Sequence, residues 1–302
     1  MTTTAQLNAE FAIDGRLQVV EGSGGLPMIE ITTQQARAKI SLYGGQILSF
    51  QPAGQSSDLM FLSNTAYFEQ GKAIKGGVPI CWPWFGPDPD GKGRPGHGFV
   101  RNRAWKLLGT EERSYDRIQV RLGLCDTDET RAIWDHEFEL ELQVTIGTSL
   151  EIALITRNTG PQAFPLSQAL HTYLAVGDIA KTEVLGLENC TYIDKMDAGK
   201  EKNQDGPIVI SQETDRIYFG TESELTVEDR ALSRRITIRP QGSSSAVVWN
   251  PWAATAASMG DLGDDDYKQM ICVETTNAGP DVVQVAPGSE HCLAATYTLS
   301  NL

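Results

Sequence analysis

Histidine is scarce in this sequence and has the side chain whose unperturbed pKa lies nearest neutrality; only four are present. His97 lies between two glycines, which let the backbone approach a ligand closely. We favour a ligand-binding role for it over a turn histidine that bonds only the backbone. His171 precedes the strand-favouring pair Thr172 and Tyr173, so it projects from a strand or a strand end. Its own context favours a hydrogen-bonded core histidine, with proton transfer as the alternative.

Glu274 directly follows the apolar run Met270–Val273 and precedes a polar Thr-Thr-Asn stretch. Partial burial at the end of such a run would raise the pKa of the carboxyl group toward the range of a general base working near neutrality. The alternative is a glutamate on an edge strand that faces water, and the residues alone do not separate the two. His136 and His291 are predicted to be surface or turn residues that take no part in catalysis.

The segment from Lys72 to Lys106 is rich in glycine, proline and aromatic residues. Its 35 residues hold seven glycines and five prolines, a composition that excludes continuous helix or strand. Seven basic residues against two acidic ones give it a balance of +5 within a chain of −14. A long loop of this kind is typically functional, and we expect it to bind a small anionic ligand.

Other stretches resemble functional motifs but lack the residues or the spacing that those motifs require. The run from Gly86 to Gly93 imitates a phosphate loop, but its prolines lack N–H groups and its aspartates repel phosphate. Asp264–Asp266 lacks the spacing of a calcium loop, and the histidines lack the spacing of a zinc site. Ser167 is not in a nucleophile elbow. The sequence therefore predicts neither a metal nor a cofactor.

The elements that must position these residues are strands. Apolar residues alternate with polar ones from Glu137 to Ile146, and after the turn Gly147–Ser149 the alternation resumes at Leu150. This pattern is typical of an antiparallel hairpin with one buried face. Further short runs of the same kind are predicted at Met28–Thr32, Ile40–Tyr43, Ile118–Leu124, Glu224–Val227, Arg235–Arg239, Ala246–Trp249, Met270–Val273, Val282–Val285 and Leu293–Leu299.

Many short strands separated by turn residues predict an all-β sandwich or barrel. Helical patterns are confined to Ser63–Gln70 and Asp126–Ile133, where Asp126 and Thr127 could cap. No linker, repeat or low-complexity tract divides the sequence, so residues 1–302 are expected to form a single domain.

Overall composition limits the class of partner. A net charge of −14 argues against binding nucleic acid or anionic membranes. No membrane span or secretory signal is apparent, and the five cysteines form no C-x-x-C pair. We expect a soluble, reduced, cytoplasmic protein that is monomeric.

Six motifs occur in an order that resembles the D-hexose-6-phosphate mutarotases (glucose-6-phosphate 1-epimerases), members of the galactose-mutarotase-like superfamily. The resemblance runs from about Gly44 to the C-terminus. The motifs are Lys75-Gly-Gly-Val-Pro-Ile-Cys-Trp-Pro-Trp-Phe-Gly86, Gly96-His-Gly-Phe-Val-Arg-Asn102, Ala169-Leu-His-Thr-Tyr173 with Gly177-Asp-Ile179, Asp215-Arg-Ile-Tyr218, Trp249-Asn-Pro251 and Val273-Glu-Thr275.

The resemblance implies a large antiparallel β-sandwich that binds a sugar phosphate in a cleft on a concave sheet. It implies that His171 is the general acid and Glu274 the general base. Substrate contacts are implied for Lys75, His97, Arg101 and Asp215. Lys75 stands where the family often has arginine, so a two-pronged phosphate contact would become a single point charge here.

Two other functions remain open at this stage. One is an aldose 1-epimerase that acts on unphosphorylated sugar, against which the +5 segment argues. The other is a non-catalytic carbohydrate-binding module, which would not require both His171 and Glu274. A purely structural sandwich would leave the basic aromatic loop without a role.

Overall fold

The computed structural model describes residues 2–221 and 223–302, and within them the chain is built almost wholly from strands. The α-helices of these residues are α1 (Thr4–Phe11), α2 (Asp128–Ile133) and α3 (Trp252–Ser258). In chain order the strands are β1 (Leu17–Glu21), β2 (Pro27–Thr32), β3 (Ala36–Ser41), β4 (Gln46–Pro52), β5 (Ile80–Cys81), β6 (Lys106–Arg113), β7 (Arg117–Cys125), β8 (Phe138–Ile146), β9 (Leu150–Asn158), β10 (Phe164–Leu166), β11 (Gln168–Leu170), β12 (Tyr173–Ala175), β13 (Thr182–Leu185), β14 (Thr191–Asp194), β15 (Lys200–Asn203), β16 (Ile208–Val209), β17 (Thr214–Phe219), β18 (Leu225–Asp229), β19 (Arg234–Gln241), β20 (Ser245–Asn250), β21 (Met270–Asn277), β22 (Val283–Val285) and β23 (Glu290–Asn301).

Two large antiparallel sheets form the sandwich. One has nine strands in the order β16-β13-β18-β19-β23-β9-β8-β7-β6. The other has eight, in the order β15-β14-β17-β20-β21-β11-β5, with β12 also pairing with β21. The strands β1-β2-β3-β4 make a separate four-stranded sheet, and β10 pairs with β22. The predicted all-β antiparallel sandwich is confirmed.

One hydrophobic core joins the sheets, and strand alternation explains how. On β8 the residues Leu140, Leu142 and Val144 are buried in it, from the same alternating run that predicted the hairpin. From the eight-stranded sheet, Ile271 and Val273 of β21 enter the same cluster. Side chains at every second position of a strand share a face. Each sheet therefore contributes one apolar face to the core, and the opposite face of β21 points away from it.

Short helices were harder to predict than strands. The helix from Asp126 is confirmed as α2, which begins after Thr127; the Thr127 side chain accepts a hydrogen bond from the Thr130 N–H. The helix predicted at Ser63–Gln70 is wrong, because that segment consists of turns, a bend and irregular backbone. The Ser63 hydroxyl accepts a hydrogen bond from the Thr65 N–H there, a local bond that competes with helix formation.

The last strand begins earlier than the sequence suggests. His291, predicted to precede it as a surface or turn residue, lies inside β23 and is half-buried, with Nε2 3.0 Å from Asn277 Oδ1. The surface or turn prediction for His291 is therefore wrong. None of the helices in residues 2–221 and 223–302 combines the length and apolarity needed to cross a bilayer.

Candidate active site

The floor of the candidate site is the face of the eight-stranded sheet that points away from the main core. Strand pairing sets Asp215 opposite Trp249, Trp249 opposite Cys272, and Cys272 opposite Tyr173. Directly opposed residues share a face, so these four side chains form a row across β17, β20, β21 and β12. Glu274 lies two residues beyond Cys272 on β21 and points to the same side.

Glu274 is buried in the middle of this floor. Only 1% of it is exposed, and its Oε2 has no hydrogen-bond partner within the described residues. Burial, and then the negative charge of Asp215, raise the pKa of the Glu274 carboxyl well above its usual value. β21 is a central strand, which excludes the alternative of an edge glutamate that faces water.

His171 follows β11 at the bend before β12. Its backbone N–H donates to the Pro79 carbonyl at 3.0 Å, and its ring stacks on Tyr173 with the centroids 4.9 Å apart. Nδ1 lies 3.4 Å from Glu274 Oε1 and makes no hydrogen bond to the described residues. Burial lowers the pKa of His171 well below its usual value, and the positive charges of Arg101 and Lys75 act in the same direction. The free protein therefore holds this imidazole neutral at pH 7.

His97 lies beside His171 on a strained turn. Its φ is +62°, its N–H donates to the Gly86 carbonyl, and the Gly86 N–H donates to its Nδ1 at 3.3 Å. Nδ1 thus acts as the acceptor, which leaves the hydrogen of the neutral ring on Nε2. The His97 and His171 ring centroids are 5.7 Å apart. Burial and nearby cations, chiefly Arg101, lower the pKa of His97 to about 3, so it too is neutral.

Lys75 and Arg101 border a pocket of about 270 Å³ next to the buried pair. Lys75 Nζ is 3.5 Å from Asp261 Oδ2. Arg101 donates from Nη2 to the Gly96 carbonyl at 3.1 Å, and its buried Nε has no partner in the described part of the chain. Tyr173, which stacks on His171, also lines the pocket. A cationic pocket therefore adjoins the histidine.

Asp215 ends the row on the far side of the floor and is paired with Lys195. Lys195 Nζ lies 3.4 Å from Asp215 Oδ1 and 5.3 Å from the centre of the Phe85 ring. Burial raises the pKa of Asp215, and Lys195 counteracts that rise. An ionised Asp215 can accept hydrogen bonds from hydroxyl groups of a ligand lying on the floor.

The fold brings the six predicted site residues into one neighbourhood, although they come from distant parts of the chain; of the six, Lys75 and Arg101 line the pocket. Sequence reasoning missed their partners Lys195 and Asp261, which no local pattern marks. It also missed Cys272, whose place on the floor follows from counting two residues back from Glu274. His136, in contrast, packs against Trp134 and Phe164, away from these residues.

One set of buried side chains could in principle hold a metal ion. His171, Cys272 and Glu274 each offer a ligand atom, and these atoms lie within 4.8 Å of one another. Burial raises the pKa of the Cys272 thiol well above its usual value, whereas a metal binds the thiolate. The prediction that the chain uses no metal stays a prediction.

Comparison with known proteins relates this chain to epimerases and mutarotases. A sequence model of the family "Aldose 1-epimerase" matches residues 27–298. A protein of Escherichia coli K12 named "Putative glucose-6-phosphate 1-epimerase" is 40% identical over 254 residues, which cover 84% of each chain. A protein of the same name from Cenchrus ciliaris is 35% identical over 295 residues, covering 94% of this chain and 87% of the relative.

Solved structures agree on the architecture. The crystal structure of a "putative mutarotase" from Salmonella typhimurium superposes with a TM-score of 0.90 at 34% identity, covering 97% of this chain and 96% of the other. A galactose mutarotase-like protein from Clostridium acetobutylicum has a TM-score of 0.76 at 15% identity, covering 95% and 98%. The second similarity bears on the fold alone.

Proposed function

The chain belongs to the aldose 1-epimerase family, and we propose that it interconverts the α and β anomers of a D-hexose 6-phosphate. The observation that carries this proposal is the buried pair His171 and Glu274. Their facing atoms are 3.4 Å apart, each residue presents an atom that has no hydrogen-bond partner among the described residues, and a cationic pocket lies beside them. O1 and O5 of a pyranose are bonded to the same carbon, so two adjacent groups can reach both.

In the proposed reaction Glu274 is the base and His171 the acid. Glu274 takes the proton of the O1 hydroxyl while His171 gives a proton to the ring oxygen O5. The C1–O5 bond breaks, its electron pair stays on O5, and the O1–H pair forms the C1=O1 bond of the open-chain aldehyde. Rotation about C1–C2 presents the other face, and closure reverses both transfers. Each positioned transfer contributes about 10²–10⁴-fold to the rate.

The surroundings of the pair suit reversible transfer. The reaction starts from the charged form of the pair, with the proton on His171, although the free protein holds His171 neutral. Ring opening then passes the pair to its uncharged form, with the proton on Glu274. Burial favours the uncharged state, since it lowers the pKa of His171 and raises that of Glu274. The positive charge of Lys195 opposes this by lowering the pKa of Glu274, whereas Arg101 lowers the pKa of both groups. Opposing contributions of this kind reduce the free-energy gap between the two states.

The remaining predicted residues would orient the sugar. We assign the C6 phosphate to Lys75 and Arg101, because charge-assisted hydrogen bonds to phosphate are strong. Asp215 and His97 would contact hydroxyl groups, Asp215 as an acceptor and His97 through its Nε2–H. We also propose that residues 1–302 act as one domain, monomeric and cytoplasmic.

Exchange spectroscopy on the anomeric protons of glucose 6-phosphate tests the activity. The protein should accelerate exchange between the anomers, in the presence of EDTA, without altering their final ratio. Faster exchange of free glucose than of glucose 6-phosphate would favour an unphosphorylated aldose as substrate. Unchanged exchange of both sugars would favour a carbohydrate-binding module.

A further inference from the structure

The cationic pocket beside the catalytic pair contains one carboxylate. Lys72, Lys75 and Arg101 line it together with Asp261, whose Oδ2 lies 3.5 Å from Lys75 Nζ. We propose that Asp261 is a specificity-determining residue: it occupies Lys75 in the free protein and sets the affinity of the pocket for the phosphate group. This inference rests on the proposed function, because it takes the pocket as the phosphate site.

Asp261 is held at the pocket by its own segment. Met259 Sδ lies 3.9 Å from Lys75 Nζ, and a Cβ added to Gly260 would lie only 2.4 Å from the Tyr67 hydroxyl oxygen. Beyond Asp261, Leu262 is buried. Asp266 accepts hydrogen bonds from the Ser63 hydroxyl at 2.9 Å and from the Gly263 N–H at 2.8 Å. These contacts of the neighbouring residues hold the Asp261 carboxylate in place in the pocket wall.

The cations of the pocket differ in how far they are already engaged. Lys72 Nζ is 2.9 Å from Glu69 Oε2, and Lys75 is paired with Asp261. Arg101 has no carboxylate within ion-pair distance in the described part of the chain, and its buried Nε lacks a partner. An entering phosphate can therefore pair with Arg101 directly, but it must replace Asp261 as the partner of Lys75.

Both members of the Lys75–Asp261 pair are about one-fifth exposed, with side-chain values of 19% and 20%. Partial burial weakens solvent screening, so the negative charge of Asp261 acts on a bound dianion at close range. Removing that charge should tighten phosphate binding by about three- to tenfold. A neutral sugar carries no charge at this end, and its handling should not change.

The experiment compares wild type with Asp261→Asn, which removes the charge and keeps the size of the side chain. Isothermal titration with inorganic phosphate, glucose 6-phosphate and glucose measures binding, and anomer exchange measures activity. Asp264→Asn is the matched control, because Asp264 belongs to the same segment but is exposed and lies outside the pocket lining. Circular dichroism and thermal melting check the fold, and Asp261→Ser serves as a second variant if Asp261→Asn is unstable.

Tighter binding of both phosphate ligands to the Asp261 variant, with glucose unchanged and the Asp264 control like wild type, supports the proposal. Unchanged or weaker phosphate binding would overturn it and would make Asp261 a residue that merely orients Lys75. The wild-type exchange assay stands apart from this comparison. If wild type accelerates exchange of glucose 6-phosphate while the Asp261 variant shows no gain in phosphate affinity, the inference fails and the proposed function stands.

Discussion

Replacing Glu274 with glutamine should make the protein more stable at alkaline pH while removing most of its activity. The buried Oε2 has no hydrogen-bond partner in residues 2–221 and 223–302, and burial raises the pKa of this carboxyl group well above its usual value of 4.5. A glutamine of the same shape carries no charge to desolvate. An unsatisfied buried polar group costs about 1–3 kcal/mol, and more when charged. Because the glutamine amide would also lack a partner there, the gain comes from the charge alone. We expect Glu274→Gln to gain free energy of unfolding over wild type by up to about 1.4 kcal/mol for each pH unit above 4.5.

The pH dependence follows from the direction of the shift. Between pH 4.5 and the raised folded pKa, the folded protein keeps the Glu274 proton that the unfolded chain has lost. Rising pH therefore lowers the free energy of unfolding across this window, and the contribution is fully present only below pH 4.5. The glutamine side chain introduced by the substitution cannot titrate, so the variant's advantage over wild type should grow as pH rises from 4.5 toward the raised folded pKa and stay constant above it.

Urea denaturation at pH 5, 6, 7 and 8 measures the effect, with Glu201→Gln on an exposed stretch of β15 as the control. Anomer exchange on the same samples should fall by about 10²–10⁴-fold for Glu274→Gln and stay at the wild-type rate for the control. A Glu274→Gln protein that is less stable than wild type at pH 8, or whose advantage is the same at every pH, would refute the argument that burial dominates this carboxyl group.

Other substitutions test the remaining roles. His171→Ala should lower turnover by orders of magnitude. Adding Glu274→Gln should lower it little further, because the two groups act in one event. A double variant whose loss of turnover equals the product of the two single losses would contradict this. Lys75→Ala and Arg101→Ala should each weaken binding of glucose 6-phosphate by about 1.5–3 kcal/mol in isothermal titration and leave glucose nearly unchanged. Equal losses toward both sugars would remove the phosphate from the pocket. NMR titration of the imidazole of His97 should show it neutral down to about pH 3; a midpoint near 6.5 would show that burial does not control it.

The sandwich was predictable because strand alternation is a local property of the sequence. Each predicted strand overlaps an observed one, since a half-buried strand must place apolar side chains at every second position. Helices α1 and α3 were missed, because α1 buries only Leu7 and α3 only Ala256 and so neither carries an apolar stripe. In Ser63–Gln70 a side-chain bond to the backbone prevailed over a weak helical pattern.

The site was predictable only in part, for a physical reason. The motifs identified individual candidate site residues such as His171 and Glu274, but they contain no information on the distances between these residues. Asp261 and Lys195 belong to no motif, and their importance arises from cross-chain pairs with Lys75 and Asp215. Such pairs depend on strand register and loop packing. Lys75 and Asp261 are more than a hundred residues apart in the sequence, and Lys195 and Asp215 are about twenty apart. No short sequence window contains the first pair.

The two faces of β21 have a bearing on how substrate preference could be redesigned. Ile271 and Val273 fix the strand in the core, and Glu274 projects from the reverse side of the same backbone. A directed-evolution library at these core positions would change the distance between Glu274 and His171 as well as the stability of the fold. Lys75 and Asp261 sit instead on connecting segments above the sheet. Substitutions confined to those segments could change which group at the distal end of the sugar is bound, while Glu274 and His171 keep their positions.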